Sequence, residues 1–435
     1  MSNVATKSNP SSLETTLNHS LDKRRSSSTI RRLTTTKSID VDFSSNDFLS
    51  LATNPELRRN FLQELERSPA FNRTGSTGSR LLDGNSNYAL DLEKQIARFH
   101  GAEAGLLCNS GFDANVGLFS CLPQPGDVVV YDEFIHASVH DGMRLSRAGR
   151  FWGFRHNDVL ALEGVVRGLV DGDEAVRGGR KNVFVAVEGV YSMDGDVAPI
   201  GQITKVLKTL LPKGNAHLIV DEAHSTGLYG SGGRGLVNAL GLEDAITVRL
   251  HTFGKSLACN GAILLCSPTI REYLINYARP MIYTTFMSYP ALAAIKASYD
   301  FLSAGKTEHL AANLEMLIQD FHQRLLGLQA SLLAVSDAEH ARALLRVPAE
   351  CPKSPIFAVL SSEPKVLAAH CQAEGFTVRG IVPPTVPLGT ERIRVCLHAG
   401  NTVAQIDGLV KVIRSWVETR SKALLRDAEG SRPRL

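Results

Sequence analysis

The feature that most constrains the fold is the alternation of short apolar segments with helical ones from about residue 45 to residue 290. The short segments are apolar on both faces, which is typical of strands in a covered parallel sheet. They are Ala104–Leu107, Val128–Tyr131, Val183–Val187, His217–Val220, Ala245–Val248 and Ala262–Leu265. Between them lie amphipathic segments such as Leu92, Ile96 and Phe99, which share one helical face. The pattern predicts an α/β fold with a mostly parallel central sheet, whose functional residues gather at the carboxyl ends of the strands.

The chain beyond this core has a different pattern. After Pro290, two apolar stripes at helical spacing, from Leu310 to Leu325 and from Val403 to Val417, flank two strand-like runs. Long helices around a few strands predict a smaller C-terminal α+β domain. We expect an N-terminal arm over residues 1–45, a large domain over 46–290, a small domain over 291–420 and an exposed tail over 421–435.

Composition excludes several classes of protein. Lys and Arg total 47 against 44 for Asp and Glu, so the net charge of +3 argues against a nucleic-acid binder that neutralises phosphates. No apolar run approaches the roughly 18 residues of a membrane span. Seven cysteines without a CxxC pair indicate neither a disulfide scaffold nor a structural zinc site. The chain is therefore expected to be a soluble enzyme without a metal site.

The strongest local motif comes directly after the predicted strand His217–Val220. An acid, Asp221, stands at the carboxyl end of this strand, and His224 comes three residues later in a turn that ends at Gly227. Taken alone, such an aspartate is often only a helix cap, and a lone histidine is more often a satisfied polar residue than a catalyst. The pair indicates a catalytic site only together with a lysine further along the chain.

This lysine, Lys255, comes 34 residues after Asp221 and again follows a strand, so both belong to the same sheet edge. Gly254 and Ser256 on either side resemble the end of a phosphate-binding P-loop, but Arg249 stands where that pattern requires glycine. A pyridoxal phosphate enzyme needs a lysine near an acid, because the amine binds the cofactor and the carboxylate keeps its pyridine nitrogen protonated. A surface lysine is the alternative.

Two further segments supply the remaining parts of such a site. Asn109–Asn115 follows a strand and opens a helix, so the backbone N–H groups near Gly111 are free to bind the cofactor phosphate. Thr252 offers a hydroxyl three residues before the lysine. His136, after another strand, is a candidate ring to stack on the pyridine, although a capping or solvent-facing histidine is the plainer interpretation. Each part is weak evidence, but their common order at successive strand ends is strong evidence.

These motifs resemble those of the α-oxoamine synthases, in particular Val220–Gly227, Thr252–Lys255 and Pro383–Thr390. The resemblance covers about Leu21 to Val417 and implies a pyridoxal phosphate-dependent transferase of fold type I. Enzymes of this family condense an amino acid with an acyl-CoA, lose CO₂ and work as homodimers with shared active sites. Several stretches, including Leu21–Arg25 and Val187–Asp196, are similar to the subfamily that joins L-alanine to a pimeloyl thioester in biotin biosynthesis.

The resemblance also assigns roles to individual residues. At the cofactor it implies that Lys255 holds it and moves the α-proton, that Asp221 pairs with the pyridine nitrogen and that His224 pairs with the phenolic oxygen. It also implies that His136 stacks on the cofactor ring and that Gly111 and Phe112 lie near its phosphate and ring. Ser192 and Thr252 are implied as further cofactor contacts. Thr284 and Thr285 are implied to lie near the phosphate in the partner subunit. At the substrate it implies His136, Asn46, Thr385, Arg31 as a cation, and Arg394 as a bidentate fork for the amino-acid carboxylate.

Departures from the family pattern leave other activities open. The run Ser256–Gly261, the segment His398–Asn401 and Phe286 differ from the usual residues near the substrate pocket and dimer contact. A sister synthase with another acyl chain or amino acid is the main alternative, and an Arg31 that reaches the acyl tunnel would favour the biotin subfamily. A non-catalytic partner subunit is disfavoured because it would lack Lys255. Simple aminotransferases and aldolases lack the signature from Pro383 to Arg394.

Both ends of the chain have features that bear on where the protein is located. The first forty residues are rich in Ser, Thr, Lys and Arg, as in a mitochondrial transit peptide, but Leu13, Leu17 and Leu21 follow helical spacing and favour a structured arm. The final tripeptide Pro433-Arg434-Leu435 is similar to the Ser-Lys-Leu address of the peroxisomal import receptor. The expected location is the peroxisome or the cytoplasm.

Overall fold

The computed structural model describes residues 11–27, 29–33, 35, 40–67, 73–335 and 338–430. Residues 1–40 and 41–435 form two separate compact units. In the first unit, helix α1 (Ser12–Ser26) begins at a capping box in which Ser11 Oγ accepts the Glu14 N–H at 3.2 Å and Glu14 Oε2 accepts the Ser11 N–H at 2.7 Å. The leucine spacing noted in the sequence lies within this helix, and none of its side chains is buried.

The second unit contains the remaining elements. Its strands are β1 Val41–Asp42, β2 Ala104–Cys108, β3 Val128–Asp132, β4 Phe151–Phe154, β5 Val183–Glu188, β6 Ala216–Asp221, β7 Val248–Thr252, β8 Ala262–Cys266, β9 Ile356–Leu360, β10 Phe376–Thr377, β11 Arg379–Ile381 and β12 Arg392–Cys396. Its helices are α2 Pro55–Arg67, α3 Asn87–Phe99, α4 Gly111–Cys121, α5 Ala137–Arg144, α6 Val159–Gly172, α7 Glu174–Arg177, α8 Ile200–Leu210, α9 Leu236–Ala239, α10 Pro268–Tyr277, α11 Arg279–Tyr283, α12 Tyr289–Ser303, α13 Glu308–Val335, α14 Ala338–Leu344, α15 Pro364–Ala373 and α16 Val403–Gly430.

The central sheet has the order β2-β8-β7-β6-β5-β3-β4. Strand β8 is antiparallel to both of its neighbours, and the other pairs are parallel. Because β8 reverses between β2 and β7, β2 points the same way as the rest of the sheet. The carboxyl ends of β2, β3, β5, β6 and β7 therefore lie at one edge, and the predicted α/β fold with a mostly parallel sheet is confirmed.

Most strands of the sheet are apolar at successive positions because each alternates its side chains between two covered faces. In β3, Val129 packs on one face with Phe184 and Ile219. Its neighbours Val128 and Val130 pack on the other face with residues of α6 and α8. Helices on both sides thus bury the central strands of the sheet, which leaves its carboxyl edge as the place where polar side chains meet.

One predicted strand was wrong in position. Residues Glu243–Ala245 form a short 3₁₀ turn, and β7 begins only at Val248. The sequence pattern did not identify β7 because the strand contains two polar residues, Arg249 and His251, which are buried and hydrogen-bonded. Arg249 donates to the His100 carbonyl at 3.0 Å, and His251 Nδ1 pairs with Thr226 Oγ1 at 2.9 Å. Periodicity also missed β4, a short strand at the edge of the sheet that leaves the Trp152 ring half exposed.

Two buried histidines, His251 of β7 and His100 after α3, predict that the folded protein is less stable in acid. The rings of His100 and His251 lie 4.0 Å apart. Burial and the charge of Arg249 lower the pKa of His100 to about 3, and burial beside His100 lowers the pKa of His251 well below its usual range. Unfolded histidine binds a proton near pH 6.5, so this stability is present above about pH 6.5 and is lost as the pH falls towards 3.

We therefore expect the melting temperature to fall steadily below about pH 6.5. His251→Asn, which keeps a polar partner for Thr226, should make this fall shallower. The exposed His309→Asn is the control and should leave the curve unchanged. Melting curves recorded from pH 5 to 8 check this, and parallel curves for wild type and His251→Asn would contradict it.

The C-terminal part forms its own layer of helices on a three-stranded antiparallel sheet of order β11-β12-β9. Strand β1 pairs in parallel with β10, so residues 41–42 join this layer. Helix α12, which spans the predicted boundary at residue 290, packs instead with α3 beside the central sheet. Helix α16 continues through Gly430, ten residues into the predicted tail, and residues 431–435 lie outside the described part. No helix in the described ranges is long and apolar enough to cross a membrane.

Candidate active site

The register of the sheet brings the predicted site residues to one level. Glu188 at the end of β5 lies opposite Asp221 at the end of β6. Cys108 of β2 and Thr252 of β7 both pair with Ala262 of the strand between them. The turns that leave β2, β6 and β7 therefore begin side by side and carry Gly111, His224 and Lys255, and the turn after β3, which pairs with β5, carries His136.

Asp221 is held by a chain of hydrogen bonds that reaches the histidine of the neighbouring turn. Asn115 Nδ2 donates to Asp221 Oδ2 at 2.9 Å, and the Ala223 N–H donates to Asp221 Oδ1 at 3.0 Å. Asn115 Nδ2 also donates to Ser138 Oγ at 3.0 Å, and Ser138 Oγ lies 2.7 Å from His136 Nδ1. The acid predicted to face the pyridine nitrogen and the ring predicted to stack on it are thus fixed by one network.

The amine of Lys255 is tuned towards its neutral form. Burial lowers its pKa, the carboxylates of Asp221 and Glu188 oppose that change, and the guanidinium of Arg394 adds to it. The net result is a pKa below that of a free lysine. Because only the neutral amine is a nucleophile or a base, this environment suits both roles predicted for Lys255.

His224 is buried with its ring against Phe48, at a centroid distance of 6.0 Å. Burial lowers its pKa well below the usual range, and electrostatic interactions with Lys255, Arg394 and His136 lower it further. The imidazole is therefore neutral at physiological pH. Its Nδ1 atom has no hydrogen-bond partner among the described residues. A buried polar atom without a partner costs free energy, so a bound group is expected to complete it.

Two more unpaired polar atoms lie in the same region, the hydroxyls of Thr252 and Ser256, which are buried and unpartnered in the part of the chain the structure describes. A methyl group added to Gly111 would lie only 2.4 Å from the Thr252 methyl carbon. Gly111 opens α4, whose first N–H groups are capped by Ser110 through Asp113 N at 3.0 Å. Free hydroxyls beside a helix N-terminus fit a phosphate group, and the unpaired His224 nitrogen fits a phenolic oxygen. These residues fit pyridoxal phosphate.

This packing predicts a specific defect for Gly111→Ala. The added methyl would collide with Thr252 and push the start of α4 away from the hydroxyls, so cofactor affinity should fall roughly tenfold or more. Thr252→Ser removes the colliding methyl and keeps the hydroxyl, so the double variant should recover most of the loss. Fluorescence titration of apoprotein with pyridoxal phosphate measures this, and a double variant no better than Gly111→Ala would refute the steric cause.

The rim of the site carries His136 and Phe112, which are both exposed. Their ring centroids lie 6.4 Å apart at an interplanar angle of 82°. Partial burial lowers the pKa of His136, Asp221 opposes this, and Lys255 adds to it. An uncharged imidazole with one free face is suited to stacking on an aromatic ring.

Arg394 comes to the site from β12 of the C-terminal layer. It is buried, with Nε donating to the Ser192 carbonyl at 2.6 Å and Nη2 donating to Asn46 Oδ1 at 2.9 Å. Three predicted residues, Arg394, Ser192 and Asn46, are therefore in contact. The guanidinium has five N–H groups, so donors remain for a carboxylate.

Other predicted residues are not brought to this cluster by the contacts of the described chain. Thr284 and Thr285 are exposed, but the Thr285 carbonyl accepts from Asn109 Nδ2 at 2.7 Å, beside the Gly111 turn. Thr385 is exposed, and Arg31 belongs to the separate unit of residues 1–40. The roles of these four residues remain predictions.

Sequence reasoning assigned no role to three residues of the site. Asn115 and Ser138 form the network around Asp221, and Glu188 lies beside Asp221 in the sheet. Burial and the charge of Asp221 raise the pKa of Glu188 well above its usual value. The available signal was a polar residue inside an apolar element, such as Asn115 on the buried face of α4.

Comparison with known proteins agrees with this geometry. Residues 38–413 match the aminotransferase class I and II family. An 8-amino-7-oxononanoate synthase from Emericella nidulans is 51% identical over 417 residues, which cover 96% of this chain and 99% of that protein. The aminoacyl transferase sphA from Aspergillus fumigatus is 39% identical over 410 residues, which cover 91% of this chain and 86% of that protein.

Solved structures show the same fold. Serine palmitoyltransferase from Sphingomonas wittichii superimposes with a TM-score of 0.79 at 24% identity, covering 95% of this chain and 100% of that one. 8-Amino-7-oxononanoate synthase from Francisella tularensis gives a TM-score of 0.66 at 24% identity, covering 88% and 99%. These neighbours confirm fold type I. The chain belongs to the aminotransferase class I and II family and, within it, to the α-oxoamine synthases, acyl-transferring enzymes that depend on pyridoxal 5'-phosphate.

Proposed function

We propose that the protein condenses L-alanine with pimeloyl-CoA to give 8-amino-7-oxononanoate, CoA and CO₂, a step of biotin biosynthesis. The observations that carry the proposal are the lowered pKa of Lys255, which burial and the charge of Arg394 lower against the opposing carboxylates of Asp221 and Glu188, and the contact of Arg394 with Asn46 and Ser192. A tuned amine beside a carboxylate-binding fork suits an α-amino acid. The choice of acyl group rests on the 51% identity to the relative from Emericella nidulans.

The residues of the site divide into those that hold the cofactor and those that hold the amino acid. Lys255, Asp221, His224, His136 and the start of α4 would hold the cofactor. Once bound, pyridoxal phosphate supplies the electron sink for removing the α-proton and for losing CO₂. Arg394, positioned by Asn46 and Ser192, would bind the substrate carboxylate through its remaining N–H groups.

Proton movement falls to Lys255. With its pKa lowered, Nζ is available as a base for the α-proton. In the overall reaction a bond forms between the α-carbon and the thioester carbon, the C–S bond breaks, CoA leaves as a thiol, and the carboxylate leaves as CO₂. We also place Thr284 and Thr285 near the phosphate of a second copy in a homodimer, in keeping with their exposure.

A second candidate function is that of a sister synthase that uses another acyl chain or amino acid. It is favoured by the similarity to sphA from Aspergillus fumigatus, at 39% identity over 91% of this chain. The two candidates differ in whether the acyl chain ends in a carboxylate, so a substrate panel separates them.

The test measures thiol release from cofactor-loaded protein with L-alanine and pimeloyl-CoA. Parallel reactions contain glycine or L-serine, and octanoyl-CoA as an acyl chain without the terminal carboxylate. We expect release that requires both alanine and the pimeloyl group, together with an 8-amino-7-oxononanoate product by mass spectrometry. Release only with serine or with octanoyl-CoA would favour the sister synthase, and no release with any pair would reject both assignments.

A further inference from the structure

A histidine outside the cofactor cluster links two carboxylates from different segments. His156 Nδ1 lies 2.8 Å from Asp132 Oδ1, and His156 Nε2 lies 2.7 Å from Asp196 Oδ2. Asp132 is the last residue of β3, His156 follows β4, and Asp196 stands in the loop after β5. The imidazole therefore ties this loop, residues 190–197, to the carboxyl edge of the central sheet.

The surroundings fix His156 in a charged state. Burial alone would lower its pKa, but the hydrogen bonds and charges of Asp132 and Asp196 raise it to about 10. Both ring nitrogens then donate, one to each carboxylate. The Phe134 ring stacks on the imidazole and the Tyr191 ring meets its edge, both at centroid distances of 4.5 Å. Of the remaining neighbours, Glu133 accepts from the His156 N–H at 2.9 Å, and Asn157 donates to Asp132 and to Asp196.

The 190–197 loop also contacts the C-terminal layer. The Ser192 carbonyl accepts from Arg394 Nε at 2.6 Å, and the Gly195 carbonyl accepts from Ser354 Oγ at 2.6 Å. Asp194 pairs with Arg392. Gly195 has φ of +75°, and a methyl group there would lie 2.3 Å from the Ile356 carbonyl oxygen. The loop is thus held between the central sheet and β12, with the guanidinium that would receive the substrate resting on it.

We propose that His156, bridging Asp132 and Asp196, is a positioning residue that fixes the 190–197 loop and, through the Ser192 carbonyl, the guanidinium of Arg394. His156 is not among the residues assigned to the cofactor or the substrate, and in the cofactor-loaded protein its loss is expected to weaken chiefly the binding of the amino-acid carboxylate. The inference rests on the proposed function in one respect, the assignment of Arg394 as the carboxylate fork. Its structural part, the link between His156 and the loop, is independent of the substrate.

The first experiment separates carboxylate recognition from general damage. Holoprotein is titrated with L-alanine, glycine or L-serine, and with ethylamine, which is alanine without its carboxylate, while the absorbance of the bound cofactor is followed. In His156→Gln the dissociation constant of the responding amino acid should rise about tenfold, and that of ethylamine should change less than twofold. Asp196→Asn keeps the size of its side chain and should show the same split to a smaller extent.

The control is His217→Gln. His217 is also partly buried and paired, with Nε2 3.1 Å from Asn182 Oδ1, but it lies near the amino end of β6. This variant should bind both ligands as wild type does. Equal weakening of amino acid and ethylamine in His156→Gln, or no weakening of either, would overturn the proposal.

The second experiment needs no substrate. Hydrogen exchange of peptides covering residues 189–197 and 392–396 in the holoprotein should become several-fold faster in His156→Gln and Asp196→Asn, and should be unchanged in His217→Gln. If these peptides exchange as slowly in His156→Gln as in wild type, this result alone would overturn the proposed link between His156 and the 190–197 loop. If wild-type absorbance responds to none of the three amino acids, the proposed function fails, and the exchange rates alone decide whether His156 holds the loop.

Discussion

Replacing Lys255 by alanine is expected to abolish thiol release, with a loss of roughly a thousandfold or more in kcat. In the proposed reaction the side chain supplies both the amine that binds the cofactor and the base for the α-proton, and its lowered pKa suits it to each role. Arg394 and His136, which interact electrostatically with Lys255, are engaged with Ser192 and Ser138 and carry no primary amine to replace it. Steady-state thiol release measures the effect, and denaturation in acid followed by gel filtration shows whether cofactor is covalently held after reduction with borohydride.

A matched control for this variant is Lys181→Ala. Lys181 is also partly buried, and its Nζ donates to the Pro125 carbonyl at 2.7 Å before the amino end of β5. Its removal should leave kcat within a factor of about two of wild type, as expected for a residue remote from the site. A Lys255→Ala variant that keeps a tenth of the wild-type rate, or that still retains cofactor after borohydride treatment and denaturation, would contradict the assigned role.

Replacing Asp221 by asparagine is expected to lower kcat by roughly a hundredfold to a thousandfold. The change keeps the shape and removes the charge that faces the site. It also places an amide against Asn115 Nδ2, which now donates to the carboxylate at 2.9 Å. Because Asp221 opposes the lowering of the Lys255 pKa, its loss should move that pKa further down.

Two measurements check the Asp221 prediction. Thiol release gives the rate, and the pH dependence of pyridoxal phosphate binding to the apoprotein, which requires a neutral amine, gives the direction of the Lys255 pKa change. The control is Asp127→Asn, because Asp127 is also buried and accepts backbone N–H groups from Gln124 and Asn182 at 2.8 Å, at the opposite end of the sheet. An Asp221→Asn enzyme as active as the Asp127→Asn enzyme would show that the charge at position 221 is not used.

The parts of the site that were predictable from sequence are those that come directly after strands. Asp221 ends β6, Lys255 follows β7, and Gly111 opens the helix after β2, so strand ends in a parallel sheet were enough to place them together. The displaced β7 did not harm this inference, because Lys255 follows the strand at either position. The apolar pattern and the family resemblance were therefore enough to predict that these residues lie at one edge of the sheet.

The contacts that hold these residues were not predictable, since they join segments far apart in the chain. Arg394 donates hydrogen bonds to Asn46 and Ser192, which lie 348 and 202 residues away in the sequence. The bridge from Asp132 through His156 to Asp196 needs the ends of three strands to be known at once. Periodicity describes one element at a time, so a polar partner in another element leaves no local pattern to read.

The reversed strand β8 also determines where the chain tolerates a change in length. Thr252 and Ala262 are paired across the sheet, so the connection that carries Lys255 begins and ends in adjacent strands. Two hydrogen bonds also form inside this connection. The Phe253 N–H donates to the Gly261 carbonyl at 3.0 Å, and the Cys259 N–H donates to the Phe253 carbonyl at 2.8 Å. A residue inserted here would disrupt these internal hydrogen bonds, whereas the helical crossovers between parallel strands have turns at the amino edge of the sheet, away from the site, that can accommodate it. Among homologues, insertions and deletions should therefore be found in those crossovers and be missing from residues 253–261.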